Sequence, residues 1–147
     1  IINMTYGGNV TGTDGAIHQQ TATGNNTVNI TGNGTVIDGG SAGNASILAN
    51  STLNGNISIT TAAGTLVTGA GNEVVVGASS GGIVSITTNG NVTGTAYLGN
   101  TTGIRGSNSS GTVDIHANGD VSATGTDSFT YTVSDGHGGT ANAATAV

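Results

Sequence analysis

The sequence predicts an all-β protein, a parallel β-solenoid (β-helix) of about five coils of 27–30 residues each. Three observations predict it. A short Gly-bounded stretch with alternating apolar positions recurs along the chain. Its copies lie at a nearly constant interval. The composition argues against both a conventional core and a disordered chain.

Residues 82–94 read G-I-V-S-I-T-T-N-G-N-V-T-G. The same theme returns at 26–39 (N-T-V-N-I-T-G-N-G-T-V-I-D-G), at 55–69 (G-N-I-S-I-T-T-A-A-G-T-L-V-T-G) and at 111–125 (G-T-V-D-I-H-A-N-G-D-V-S-A-T-G). Each copy has two alternating apolar positions, a turn of small residues, and one more apolar position about six residues on. Aligning the copies gives apolar columns. The first is Val28, Ile57, Val84 and Val113, spaced by 29, 27 and 29. The second, Ile30, Ile59, Ile86 and Ile115, keeps that register. The third is Val36, Leu66, Val92 and Val121, spaced by 30, 26 and 29, and Val10 extends it upstream because residues 8–12 match 90–94. A weaker fourth column runs through Ile17, Ile47 or Leu48, Val75 and Ile104.

A period near 28 with three or four short strands per repeat is the pattern of coils stacked in parallel. Strands of successive coils would lie ~4.8 Å apart, so five coils make a rod of ~25 Å. Period-two alternation places Asn29, Ser58, Ser85 and Asp114, and Thr31, Thr60, Thr87 and His116, on the outer face. Gly and Asn at the corners suit tight turns. An antiparallel sandwich with turns every 8–12 residues also fits short strands, but the long repeat is better explained by coils.

At 147 residues the length fits one domain, read as an N-terminal strand (1–6), coils (7–125) and a C-terminal strand and tail (126–147). Gly contributes 28 residues, Pro and Cys none, and charged residues only 5%. Abundant Val, Ile and Thr argue against disorder, and no apolar run approaches the ~18 residues of a membrane span, so membrane insertion is not expected. The aromatics are Tyr6, Tyr97, Phe129 and Tyr131. A core of Val, Ile, Ala and Gly needs little volume and suits a narrow tube. Arg105 is the only strong base, and the net charge of −6 argues against nucleic acid and against anionic lipid. The start at Ile1-Ile2 rather than Met reads as a processed N-terminus, and the expected location is secreted, extracellular or at the cell surface.

The unit G-x-V-x-I-x-x-x-G-x-V-x-G, followed by G-I-x-x, is carried by Gly82-Ile83-Val84-Ser85-Ile86 through Val92-Thr93-Gly94 and on to Gly103-Ile104-Arg105. It resembles the passenger repeats of bacterial autotransporters and filamentous-haemagglutinin-type adhesins, over roughly residues 7–125. That resemblance implies secretion, a right-handed β-helix and a role in adhesion or as a surface stalk. The chain departs from the family in being short and in lacking a translocator barrel, as expected of a fragment or of a small subunit that gains length by assembling. Residues 125–140 are similar to the closing strands of cadherin-like and VCBS-type repeats of large secreted bacterial adhesins. An Ig-like domain needs ~100 residues, more than follow the coils. Phe129, Tyr131 and Val133 therefore read as one alternating strand that caps the last coil or adds to a neighbouring molecule.

Chemistry is sparse. Asp38, Glu73, Asp114, Asp120, Asp127 and Asp135 are spread along the chain, with no grouped carboxylates for acid–base work. No G-x-S-x-G elbow occurs, and His18, His116 and His137 lack ligand spacing. Asp120, Asp127 and Asp135 are of the type that ligates Ca²⁺. The repeat-in-toxin nonapeptide is absent, however, and turn formation is the preferred reading, so no cofactor is expected. Residues 136–139 are Gly-rich turn, not a phosphate loop. Eleven N-x-[ST] sequons, among them Asn3, Asn29, Asn56, Asn91 and Asn108, would place any sugars on outward positions. The outward Thr pairs 60–61 and 87–88 resemble the arrays of ice-binding solenoids, but their columns are too irregular for a lattice.

The expectation is thus not an enzyme but a subunit of an extracellular fibre, with itself as partner. The segments Ile1, Ile2, Met4, Tyr6 and Phe129, Tyr131, Val133 would pair outside their own coil. The alternative is an adhesin module that binds glycans or a host surface.

Overall fold

The structure is a computed structural model that describes residues 1–39, 44–71, 73–95, 101–123, 129–134 and 140–145. The predicted β-solenoid is present. Fourteen of its strands wind through three parallel sheets, and no α-helix occurs among the described residues. The first coil is β1 (Ile2–Tyr6), β2 (Val10–Gly12) and β3 (Ile17–Thr21). The second is β4 (Asn26–Ile30), β5 (Thr35–Asp38) and β6 (Ile47–Ser51). The third is β7 (Ile57–Thr61), β8 (Leu66–Gly69) and β9 (Glu73–Ser79), and the fourth β10 (Ile83–Thr88), β11 (Asn91–Gly94) and β12 (Thr102–Asn108). β13 (Thr112–Ala117) and β14 (Val121–Ala123) begin a fifth. Two sheets therefore hold five strands and the third holds four, in the order β12-β9-β6-β3. About four turns are complete, close to the five expected.

The coils begin earlier than expected. β1 is not a detached N-terminal strand but the first rung of its sheet, paired in parallel with β4 from Ile2↔Asn26 to Tyr6↔Ile30. Ile2, Met4 and Tyr6 alternate inward and are half-buried, while Asn3 and Thr5 face out. The tail also differs. β15 (Phe129–Ser134) pairs antiparallel with β16 (Thr140–Thr145), so Phe129, Tyr131 and Val133 lie in a hairpin, not in a lone strand.

Registers confirm some columns and correct others. Ile57, Val84 and Val113 stack, as do Ile59, Ile86 and Ile115. Val28, however, lies over Ile59 rather than Ile57, and Ile30 lies over Thr61 rather than Ile59. β4 is thus slipped by two residues from the register that aligning its motif gives. Distance along the chain from the third sheet explains the slip. Asn26 follows Ile17 by nine positions, Ile57 follows Ile47 by ten, Val84 follows Val75 by nine and Val113 follows Ile104 by nine. The corner into β4 therefore matches the others only when Asn26, not Val28, opens the inward set. The shift is even, so the same face stays inward.

The third column is corrected by one residue. Val36, Val67 and Val92 stack and are fully buried, whereas Leu66 pairs with Thr35 and Asn91 and is 38% exposed. A one-residue displacement reverses the face. Val10 pairs with Val36 and packs on the core, as expected. In the fourth column Ile47, not Leu48, joins Ile17, Val75 and Ile104. Val113 and Val121 occupy their columns but, in the last rung, are 37% and 43% exposed. The outward columns shift with β4, so that Thr27 stands beside Ser58 and Asn29 beside Thr60, and Thr31 falls outside the strand.

Inside the tube, size is complementary across the sheets. Val28, Ile59 and Ile86 project from one sheet and are completely buried. Facing them, the third sheet carries the column Gln19, Ala49, Gly77 and Gly106. A Cβ on Gly77 would lie 3.0 Å from Val84 Cγ1 and 3.2 Å from Ile86 Cδ1. No larger residue fits there without displacing the opposite ladder.

These registers predict unequal mutational costs. Ile59→Ala should destabilise the fold by about 3 kcal/mol, and Leu66→Ala should change it by less than about 0.5 kcal/mol, as measured by urea unfolding. Equal costs at the two positions would contradict the assigned faces.

Candidate functional site

The corners are built by polar side chains that take over the ladder where strands end. Asn25 Oδ1 accepts the amide of Asn56 at 2.9 Å, and Asn56 Oδ1 accepts that of Ile83 at 2.9 Å. Asn9 Oδ1 accepts Thr35 N at 3.0 Å, and Asn91 Oδ1 accepts Asp120 N at 3.1 Å. Each bond crosses from one coil to the next. Asn56 and Asn91, singled out as sequons, are thus structural links, and Asn108 likewise binds Gly82 O at 2.8 Å and accepts Gly111 N at 2.8 Å. Asn3 and Asn29 do project outward from the first sheet.

A second polar column, Thr21, Ser51, Ser79 and Asn108, closes the corner between the third and first sheets. Thr21 Oγ1 donates to Gly24 O at 2.7 Å, Ser51 Oγ accepts Gly55 N at 3.0 Å and Ser79 Oγ donates to Gly55 O at 2.8 Å. Gly82 turns this corner with φ of 103°, a conformation costly for other residues.

Charged groups among the described residues form pairs at most. Among the described residues no three His, Cys, Asp or Glu side chains come together to hold a metal ion. Arg105 Nε meets Glu73 Oε1 at 2.9 Å on the outer side of the third sheet. His116 Nε2 lies 3.1 Å from Asp114 Oδ1, with both side chains exposed. Asp38 is buried at the end of β5, in the column of Gly12, Gly69 and Gly94, and Asp120 is exposed before β14. Asp127, Asp135 and His137 lie outside the described residues. No described helix is long and apolar enough to cross a membrane.

Two surfaces stand out. The first is the outer face of the first sheet. Its columns are Asn3, Thr27, Ser58, Ser85, Asp114 and Thr5, Asn29, Thr60, Thr87, His116. Four successive rungs carry only short uncharged polar side chains. The second surface is the pair of solenoid ends. At one end lie Ile2, Met4, Tyr6 and Val10, half-buried, with Ile1 86% exposed. At the other lie Val113, Ile115 and Val121. Among the described residues no strand pairs with the outer edges of β1, β2, β13 or β14. The sequence pointed to the first end through its strand-like start. It also placed Val113 and Val121 in ladders, but gave them as core; that no later copy of the motif follows them was the signal of an end.

Comparison with protein-family models, curated proteins and solved structures finds no match to this chain.

The corner links are expected to contribute more than the ion pair. Asn56→Ala should destabilise the fold by about 1 kcal/mol, since the Ile83 amide loses its acceptor. Arg105→Ala should cost less than that and lose its effect in about 1 M salt, because the exposed pair is screened. Chemical denaturation at two ionic strengths measures both.

Proposed function

We propose that this chain is a secreted structural protein, a subunit of an extracellular or cell-surface fibre that grows head to tail by coil stacking and β-strand addition, and not an enzyme. The observation that carries the reading is the last rung, where Val113 and Val121 continue ladders that are completely buried at Val84 and Val92 yet are themselves exposed. A second copy of the chain is the occupant that fits these columns. Continuing the registers puts Ile2 on Val113, Met4 on Ile115 and Val10 on Val121. It also puts Tyr6, the largest inward residue of its strand, on Ala117, the smallest of its own. Main-chain hydrogen bonds would supply affinity and the alternating side chains register. The contact joins unlike ends and does not close, so it generates an open filament. In the third sheet such a stack leaves the width of one strand between β12 of one copy and β3 of the next. β15, the strand that follows β14 in the chain, is a six-residue segment of suitable length for that place.

A second reading, an adhesin module that binds glycans or a host surface, is favoured by the outer face of the first sheet, whose Asn, Ser and Thr side chains offer hydroxyl and amide partners to a neutral sugar. It predicts retention on a glycan array without self-assembly.

Electron microscopy of the purified chain distinguishes the two. Filaments are expected from the chain as it stands. A Val113→Lys/Val121→Lys variant, which keeps the β-sheet circular dichroism, should give isolated short rods, since two charges would have to be buried in the contact. A monodisperse monomer at high concentration would overturn the fibre reading, and filaments from the variant would overturn the stacking contact.

A further inference from the structure

We propose that Gln19 and Asn26 together hold one buried water molecule inside the N-terminal turns of the solenoid, a hydration site that the later coils do not repeat. The two residues stand at inward positions that carry apolar or very small residues elsewhere. Gln19 heads the column continued by Ala49, Gly77 and Gly106. Asn26 lies in the column of Ile2, Ile57, Val84 and Val113. These columns face each other across the tube, because a Cβ on Gly77 would touch Val84 Cγ1 at 3.0 Å and Ile57 Cγ2 at 3.3 Å. Two coils earlier the same positions are Gln19 and Asn26. A direct contact agrees with this placement: Gln19 Nε2 donates to Thr27 O, the carbonyl next to Asn26, at 3.4 Å.

Both side chains are cut off from solvent, Gln19 being 2% exposed and Asn26 0%. Their amide nitrogens are engaged with backbone, Asn26 Nδ2 donating to Asn50 O at 2.6 Å and Gln19 Nε2 as above. Their oxygens, Gln19 Oε1 and Asn26 Oδ1, are buried acceptors with no donor in the protein. A buried amide oxygen left without a donor is costly, and two acceptors cannot satisfy each other. Water can donate one hydrogen to each, and buried water is typically held by such otherwise unsatisfied polar groups. A metal ion is a poorer fit, since Ca²⁺ takes six to eight oxygen ligands, usually including carboxylates, and the ladder neighbours of the pair are Ile2, Ile57 and Ala49.

The two-residue slip of β4 brings Asn26 into the core, opposite the column that Gln19 heads. The proposal concerns the interior of one chain and is independent of how copies assemble.

A high-resolution crystal structure of the full chain tests it directly. The expected result is a single solvent peak about 3 Å from both Gln19 Oε1 and Asn26 Oδ1. The double variant Gln19→Ala/Asn26→Ile recreates the Ala49 and Ile57 arrangement of the neighbouring coils. It should lack the peak and melt at or above the Tm of the parent. Asn26→Ile alone, which removes one of the water's two acceptors, should lower Tm by about 4 °C. The proposal is overturned if the two amides bond each other with no peak between them, or if the peak makes contacts of about 2.4 Å, as a metal ion would. It is equally overturned if the Tm loss of the double variant equals the sum of the losses of the two single variants.

Discussion

The parallel backbone ladder between successive coils is the constraint from which the rest of this structure follows. Each strand hydrogen-bonds to the strand about one period earlier and one period later, so each inward side chain has the same position above and below it. The ladder turns one-dimensional sequence repetition into a column, and a column tolerates little variation in size. Ile59 and Ile86 are buried completely because the rungs on either side carry branched apolar residues, Val28, Ile115 and each other. Gly77 is small because those columns already fill the space across from it. The tube is thus too narrow for a Phe- or Leu-based core, and the composition reflects that: one Phe, no Trp and 28 Gly in 147 residues.

The same constraint decides what could be read from the sequence. Columns with a regular period were legible: Ile57–Val84–Val113, Ile59–Ile86–Ile115 and Val10–Val36 stack as expected, and in the weaker fourth column, where the spacing left Ile47 or Leu48 open, Ile47 joins Ile17, Val75 and Ile104. Misreadings occurred where a turn changes length. Residues 62–65, A-A-G-T, make the turn after β7 longer than the corresponding turn after β10, so the interval between motifs no longer reports the register. Leu66 then lies at an acceptable spacing although Val67 fills the core. The slip of β4 has the same origin, and the distance from the preceding sheet was the better guide. The second tail strand, β16, was missed because T-A-N-A-A-T carries no strong apolar alternation, while its partner reads F-T-Y-T-V-S.

The corner asparagines show how one composition serves two purposes. Asn25, Asn56 and Asn91 belong to N-x-[ST] triplets, which in sequence suggest surface modification. In the structure their side-chain oxygens replace backbone acceptors between coils. A parallel ladder interrupted at every corner leaves amides that need partners, and a short side chain with an acceptor oxygen reaches them without lengthening the turn. Asn is therefore frequent here for a reason internal to the fold. Only geometry separates these structural positions from outward ones such as Asn3 and Asn29, since the triplets are alike.

Charge scarcity has a comparable cause. In a solenoid an outward residue is flanked by its counterparts at the rung spacing of ~4.8 Å. Two like charges at that distance repel by about 0.9 kcal/mol even at the dielectric constant of water, and a column would accumulate this cost at every rung. Neutral Asn, Ser and Thr avoid it, and on the first sheet they occupy both outward columns until the last rung, where Asp114 and His116 appear beside each other. The one strong base, Arg105, obeys the same logic with opposite sign, since it crosses to Glu73 on the adjacent rung. The parallel ladder thus disfavours repeated like charges in one outward column, in keeping with the 5% of charged residues in the sequence.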